Sequence, residues 1–175
     1  MGCSEEFLKS ALFEFKRYKN MGERTFSQLS EKELQWCPGK EDNSIALIVK
    51  HLAGNMLSRW TNFLTEDGEK SWRDRDNEFE LPPCTKEEVM ATWEKGWHCL
   101  FEALASINKE NFNDSVKIRG DDHSIMEAVH RQLAHYAAHV GQIVFLGKMI
   151  KSDLWVSLSI PKGGSKAFNQ EKFRK

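Results

Sequence analysis

The chain reads SIMEAVHRQLAHYAAHVGQIVFLGKMIK over residues 124–151. Apolar residues recur in this stretch at steps of three and four, which is the spacing of an amphipathic α-helix that buries one face. Ser124, followed three residues later by Glu127, forms a capping box that marks the first turn. The stretch therefore predicts a long helix from Ser124 to about Lys151, packed against other helices through its apolar stripe.

Three further segments have the same apolar spacing, and strand-like alternation is scarce. Capping boxes at Ser30 and Thr85 predict two more helix starts, the first of them a single short turn. Four long amphipathic helices predict the all-α class, as a four-helix bundle formed by a single domain over residues 1–175. The three other long helices are expected from about Ser4 to Leu29, from Asn43 or Ser44 to between Thr65 and Gly68, and from Thr85 to about Leu104.

Two segments do not fit long helices. The long connector between the second and third of them, residues 66–80, is dense in charge and ends at Pro82-Pro83, and we expect its aromatic residues Trp72 and Phe79 to anchor it. Residues 108–123 are expected to form a loop or a small hairpin. The C-terminal tail from Ser152 is rich in Gly, Pro and Ser, so we expect an extended segment packed on the bundle or on a second subunit.

Composition narrows the classes of function. The 175 residues have a formal net charge of -1, so the chain lacks the basic character of proteins that bind nucleic acid or anionic membranes. No apolar run is long enough to span a membrane and no signal peptide is recognisable, so we expect a cytoplasmic protein. The four widely spaced cysteines are expected to be free thiols. Cys99 follows His98 directly, and neighbouring residues point about 100° apart on a helix, which disfavours a catalytic Cys/His pair.

His135 and His139 are the first candidate functional residues. Residues four apart on a helix lie on the same face, about 6 Å from each other, so both imidazoles can reach one ion. Neutral imidazole suits zinc, nickel, copper or iron better than magnesium or calcium. The pair has no glutamate between its histidines and therefore lacks the general base of an HExxH motif. The same spacing also fits two histidines on a half-exposed helix face.

A third candidate ligand, His51, lies in the second helix. His135 and His139 flank one side of the apolar stripe of their helix, and His51, Asn55 and Arg59 flank one side of theirs. Such flanks line the groove between neighbouring helices, so the three histidines can converge, although the pattern does not require it. Three other histidines are poor substitutes, because they fall on other faces or at surface positions: His98, His123 and His130.

These residues resemble the DinB/YfiT-like superfamily of metalloenzymes. The resemblance rests on the capped start of the second helix at residues 43–52, which contains His51, and on the closing motif His135-Tyr136-Ala137-Ala138-His139-Val140-Gly141-Gln142-Ile143. Residues 63–70, 72–75 and 158–165 resemble an uncharacterised bacterial subfamily, so the similarity spans nearly the whole chain.

The resemblance implies a bundle of up-down-down-up connectivity, a homodimer, and a divalent metal ion held by His51, His135 and His139. Zinc or nickel is the first expectation for the metal, with iron or manganese as alternatives. Some members of the superfamily are thiol-dependent transferases or isomerases that use mycothiol, bacillithiol or glutathione, bound to the metal as thiolate. The implied partners are a small-molecule thiol and an electrophilic substrate, with neither nucleic acid nor membrane.

Three polar residues are candidates for the pocket around the metal. Asn55 and Arg59 follow His51 on the same flank, and Arg59 either meets a substrate carboxylate or is a solvated arginine, the more common arrangement. Gln142 either orients a ligand of the metal or packs between helices. We interpret the chain as a metal-binding protein, either a thiol-dependent transferase or a metal-dependent hydrolase acting on a small electrophile. The alternative is a non-catalytic dimer whose three-histidine site is stabilising or vestigial.

Overall fold

The structure is a computed structural model that describes residues 2–174, and most of these residues are helical. The predicted all-α bundle is broadly compatible with it, although a two-stranded hairpin is added. Within the described residues there are two strands and six α-helices, four of them long. The helices are α1 (Cys3–Phe26), α2 (Glu31–Leu34), α3 (Ile45–Trp60), α4 (Lys86–Ala105), α5 (Ile125–Lys151) and α6 (Ser165–Lys172), and the strands are β1 (Ser115–Ile118) and β2 (Asp121–Ser124).

The helices begin where the capping residues predict. The side chains of Ser30, Thr85 and Ser124 accept the backbone N–H of the glutamate three positions further on, over 3.4, 3.1 and 3.2 Å. Ser44 caps α3 in the same way, by accepting the N–H of Leu47 over 3.2 Å. These hydrogen bonds satisfy N–H groups that have no partner within the first turn of a helix.

Helix α3 ends at Trp60, earlier than the end predicted between Thr65 and Gly68. Thr61 is extended, and Asn62 has a φ of 50°, so the chain leaves the helix and continues through turns. Apolar Phe63 is buried in spite of this, which explains why the apolar spacing continued past the real end. The spacing reports burial, and here the buried residue belongs to a turn.

The four long helices pack around an aromatic core. Helix α1 contacts α5 and α4, and α3 contacts α4 and α5. Phe7 near the start of α1 lies against His130 near the start of α5, and Thr25 near its end lies against Gly147. The largest side chains of the core are Phe15, Phe26, Trp60, Trp93, Trp97 and Tyr136.

A buried hydrogen-bond chain joins α3 to α5. Trp60 Nε1 donates to the Tyr136 hydroxyl over 2.9 Å, and that hydroxyl donates to Asn55 Oδ1 over 3.0 Å. Burial raises the pKa of Tyr136, so the hydroxyl keeps its proton. Because Tyr136 follows His135 directly, this chain fixes α5 beside α3 at the level of the histidines.

Buried charged side chains hold the connector in place. The prediction that its aromatic residues anchor it is wrong for Trp72, which is 58% exposed. Phe79 is also largely exposed, although its ring stacks on His51 with centroids 4.8 Å apart. The buried charged side chains of the connector are instead Lys70, Arg73 and Glu78. Charged residues can be buried when they pair with each other. In the sequence, the same charged residues indicate a solvated loop.

The segment at 108–123 contains the hairpin, one of its two predicted forms, with β1 antiparallel to β2. Arg119 and Gly120 form its turn with φ values of 57° and 82°, the backbone that tight hairpins favour. The Asp67 carboxylate accepts the N–H groups of both turn residues, over 2.8 and 2.7 Å. The connector and the hairpin are therefore tied together.

Hydrogen bonds join the tail to the C-terminal end of α1 and the residues after it. The Gln28 side chain accepts the Val156 N–H over 2.8 Å and donates to its carbonyl over 3.1 Å, and Arg24 donates to the Leu158 carbonyl over 2.7 Å. The prediction of an extended tail is incomplete, because α6 follows the break at Gly163 and Gly164. Helix α6 buries no residue, so its sequence has no strong apolar stripe from which to predict it.

None of the helices within residues 2–174 is both long and apolar enough to cross a lipid bilayer.

Candidate metal centre

His51 of α3 and His135 and His139 of α5 lie together, as their flanking positions allowed. Their candidate ligand atoms all lie within 4.8 Å of one another. His51 Nε2 is 3.4 Å from His135 Nε2, and the ring centroids of His135 and His139 are 4.7 Å apart. All three side chains are half-buried, so the cluster lies at the edge of the core and within reach of small molecules.

Acceptors outside the cluster orient two of the rings. Glu78 Oε2 lies 3.0 Å from His51 Nδ1, and Gln142 Oε1 lies 2.8 Å from His139 Nδ1. An acceptor at Nδ1 favours the tautomer with the proton on that atom, which leaves Nε2 as the atom that can bind a metal. Metal-binding histidines are commonly oriented in this way by a carboxylate or a carbonyl oxygen.

Glu78 is the main residue of the candidate site that could not be predicted from the sequence. Its carboxylate is buried and bound by Arg73, with Nε to Oε1 2.7 Å and Nη2 to Oε2 2.9 Å. Burial raises its pKa, but the hydrogen bonds from His51 and Arg73 outweigh this effect, so the pKa of Glu78 is lowered and the group is ionised. The only signal in the sequence was the charge density of the connector, which gives no indication of which carboxylate meets His51.

Two of the histidines are neutral at pH 7. Burial and the neighbouring His139 and His51 lower the pKa of His135 to about 4. Burial also lowers the pKa of His139. Since a protonated imidazole cannot bind a metal, these two rings are in their binding form over the physiological range.

The three histidines fit a divalent transition metal. Nitrogens at about 2.0–2.1 Å from a tetrahedral zinc ion are about 3.3 Å from each other. The distance of 3.4 Å between His51 Nε2 and His135 Nε2 matches such an edge. All-nitrogen ligands of this kind favour zinc, nickel, copper or iron over magnesium and calcium.

The three candidate pocket residues occupy different environments. Asn55 is buried, and its Oδ1 is engaged by Tyr136. Arg59 is 3% exposed, so the prediction of a solvated arginine is wrong. Gln142 is exposed, accepts from His139, and lines a surface cavity of about 280 Å³ together with Phe145. Of the three, only Gln142 is hydrogen-bonded to one of the histidines.

Cys99 and His98 do not form a catalytic pair. The Cys99 thiol lies 3.6 Å from Thr61 Oγ1, and burial raises the pKa of Cys99. His98 is exposed and lies 3.2 Å from Glu102 on the next turn. A thiol that keeps its proton at neutral pH is a poor nucleophile, so the histidine cluster remains the better candidate.

The family described as "Protein of unknown function (DUF1572)" matches residues 2–164, which include the four long helices, the hairpin and the three clustered histidines. No curated protein matches the chain.

Proposed function

The chain belongs to the DUF1572 family, whose function is unknown, and we propose that it binds one divalent metal ion through His51, His135 and His139. Its activity is inferred from its own side chains. The proposal extends to a thiol-dependent transferase or a metal-dependent hydrolase that acts on a small electrophile. Zinc or nickel is the proposed metal, with iron or manganese as alternatives.

The observation that supports metal binding is the combination of convergence and orientation. Three imidazoles from two helices lie with their ligand atoms within 4.8 Å of one another, and Glu78 and Gln142 hold the Nδ1 proton on two of them. Three histidines that merely share a surface have no need of such acceptors. A buried carboxylate beside one ring also offsets part of the positive charge that a metal ion brings.

A divalent ion held by three neutral imidazoles keeps its full positive charge and lowers the pKa of a water or thiol that binds to it. Side chains of the protein would bind the metal ion and exclude water from part of its surroundings. Phe79 covers one face of His51 with ring centroids 4.8 Å apart, which excludes water from that side. Glu78 and Gln142 keep two rings in their binding orientation.

We further propose that the family belongs to the DinB/YfiT-like superfamily, with up-down-down-up connectivity. The pairing of Phe7 with His130 and of Thr25 with Gly147 supports a parallel arrangement of α1 and α5. The approach of Ala53 to Gly96 and of Thr61 to Cys99 supports a parallel arrangement of α3 and α4. In this proposal the thiol is a low-molecular-weight compound such as bacillithiol, mycothiol or glutathione.

Elemental analysis of the purified protein tests the metal site. We expect about one divalent ion per chain, retained through gel filtration. His51→Ala, His135→Ala and His139→Ala are each expected to lose it, whereas the control His130→Ala, on another face of α5, keeps it. Full retention in a His51→Ala/His135→Ala double variant would overturn the proposal.

The reaction is tested separately, on protein loaded with its metal. Consumption of a small epoxide or of an activated ester is followed with and without bacillithiol or glutathione. Turnover that requires both thiol and metal identifies the transferase, and turnover without thiol identifies the hydrolase. Metal binding without either activity would favour an alternative, non-catalytic function.

That alternative is a non-catalytic dimer in which the metal stabilises the bundle. One observation favours it: Phe145 and Met149 of α5 are 63% and 48% exposed, and Trp36 is 40% exposed. Trp36 and Met149 line one surface cavity of about 420 Å³. Exposed apolar side chains of this size are typical of a contact surface. A dimer in light-scattering measurements that Phe145→Glu converts to a monomer, with its metal retained, supports this alternative.

A further inference from the structure

Arg59 is a buried cation with free donors. Its Nε and Nη1 atoms are buried and have no hydrogen-bond partner among residues 2–174. A guanidinium group is rarely buried unless its N–H groups meet acceptors, since they lose their hydration. The side chain therefore needs an acceptor that the protein itself does not provide.

Two carboxylates that interact with the charge of Arg59 already have other partners. Glu69 and Asp67 both attract the charge of Arg59. Glu69, however, binds Arg75 over 2.6 Å and Arg119 over 3.3 Å, and Asp67 accepts backbone N–H groups of the hairpin turn. Neither carboxylate forms an ion pair with Arg59 within the part of the chain that the structure describes.

The connector holds Arg59 in place. A Cβ atom added at Gly68 would lie 2.5 Å from Arg59 Nη1 and 2.8 Å from its Cδ, so the backbone of Gly68 packs directly on the side chain. Ser58 donates to the Gly68 carbonyl over 2.8 Å, which fixes that backbone. The guanidinium group consequently cannot turn outward to solvent without moving the connector.

A second guanidinium group, that of Arg73, also has a free donor. Arg73 binds Glu78 through Nε and Nη2, but its Nη1 is buried and without a hydrogen-bond partner in the described residues. Burial lowers the pKa of Arg59, and the positive charges of Arg131 and Arg73 lower it further. Arg59 and Arg73 therefore repel each other, and an anion that binds both would relieve the repulsion.

Both arginines lie near the histidine cluster. Arg59 is two helical turns beyond His51 on the same face of α3. Arg73 binds Glu78, whose Oε2 lies 3.0 Å from His51 Nδ1, and Arg59 follows by one helical turn Asn55, which accepts the hydroxyl of Tyr136, the neighbour of His135. An anion bound by the arginines would consequently belong to the same ligand site as the metal.

We propose that Arg59, assisted by the free N–H of Arg73, binds a carboxylate group of the ligand that the three-histidine site receives. The proposal rests on the proposed function for its link to the metal, but not for the carboxylate subsite itself. Guanidinium and carboxylate are well matched, because two parallel charge-assisted hydrogen bonds fix the carboxylate in position. The substrate class is then a small molecule that has a carboxylate in addition to its thiol or electrophilic group.

The subsite is tested first on metal-free protein, by thermal unfolding in the presence of propionate, 3-mercaptopropionate or 3-mercaptopropan-1-ol. We expect both acids to raise the Tm and the alcohol, which lacks the carboxylate, to leave it unchanged. Arg59→Gln is expected to abolish the effect of the acids. Arg131→Gln, which removes an exposed charge from α5, is the matched control and is expected to keep it.

The link to the metal is tested on cobalt-loaded protein through its visible absorption. We expect 3-mercaptopropionate to bind at least about tenfold more tightly than 3-mercaptopropan-1-ol, and Arg59→Gln to remove this advantage. Shorter and longer mercapto acids, from mercaptoacetate to 4-mercaptobutyrate, locate the best length. If propionate and 3-mercaptopropan-1-ol instead bind to the protein at the same time, the carboxylate belongs to the electrophilic substrate and not to the thiol.

The outcomes separate the two proposals. If the acids stabilise metal-free protein through Arg59 but no cobalt binds, the subsite stands and the metal proposal fails. If cobalt binds but the wild-type protein does not distinguish acid from alcohol, the subsite is overturned and the metal proposal stands. Equal losses in Arg59→Gln and Arg131→Gln also overturn the subsite, because they indicate a long-range effect of charge.

Discussion

The Glu78 carboxylate, 3.0 Å from Nδ1 of His51, links the connector to the histidine cluster. Glu78 is separated from His51 by 27 residues of sequence and is itself held by Arg73. A side chain of the connector therefore sets the orientation of a ring on α3.

Glu78→Gln is expected to weaken metal binding about 10- to 100-fold. The amide keeps the shape of the side chain but loses the charge that favours a protonated Nδ1 on His51 and binds Arg73. Competition with a chromophoric chelator measures the affinity. Glu80→Gln, which changes an exposed side chain of the same connector, is the control, and equal affinities in both variants would contradict a positioning role for Glu78.

Gly54→Ala is expected to weaken metal binding without altering a ligand. A Cβ atom at this position would collide with Oε1 of Glu78, so the carboxylate has to move away from His51. The matched control is Gly141→Ala on α5, where a Cβ atom meets no other atom within 4 Å.

The control variant also has its own expected result. In urea unfolding, Gly141→Ala should stabilise the protein by about 0.5–1 kcal/mol, because alanine is the better helix former, and leave the metal affinity unchanged. If Gly54→Ala and Gly141→Ala bind metal equally well, metal binding does not depend on the position of Glu78 beside Gly54.

The stability of metal-free protein is expected to fall as the pH is lowered from about 6.5 to 4. The pKa of His135 is about 4 in the folded state, against about 6.5 in an unfolded chain. Over this window the unfolded state takes up a proton that the folded state does not, so unfolding is favoured. The contribution is present above pH 6.5 and is lost as the pH falls through the folded pKa.

Because the His135 ring is partly exposed, we expect about 1–2 kcal/mol from this residue, which is less than the full shift would give. Urea unfolding of metal-free protein at a series of pH values measures it. His135→Gln should show a correspondingly smaller loss between pH 6.5 and 4. Parallel curves for the two proteins would rule out this residue as the cause.

Tyr136→Phe is expected to destabilise the protein by about 1–3 kcal/mol. The change leaves Trp60 Nε1 and Asn55 Oδ1 buried without the hydroxyl that satisfies both. Tyr18→Phe removes a hydroxyl from a half-buried ring of α1 and is expected to change stability by less than about 0.5 kcal/mol. Similar unfolding free energies for the two variants would show that the buried chain contributes little.

The sequence by itself determined where the long helices begin and half of the candidate site. The capping boxes at Ser30, Thr85 and Ser124 act within four residues of chain, so their outcome does not depend on tertiary packing. The spacing of His135 and His139 is likewise local, because helix geometry alone places both rings on one face. The end of α3 was less predictable, since buried Phe63 extends the apolar spacing into a turn.

Only the tertiary structure decided which groups meet across the chain. His51 joins His135 across 84 residues, Glu78 folds back from the connector onto His51, and Arg59 is buried under Gly68. The amphipathic pattern places a residue on the flank of its helix, but the rotation and height of one helix against another depend on how the whole core packs. The buried charges of the connector are harder to predict, because Arg73 and Glu78 pair within the connector but are buried only where it packs against His51 of α3.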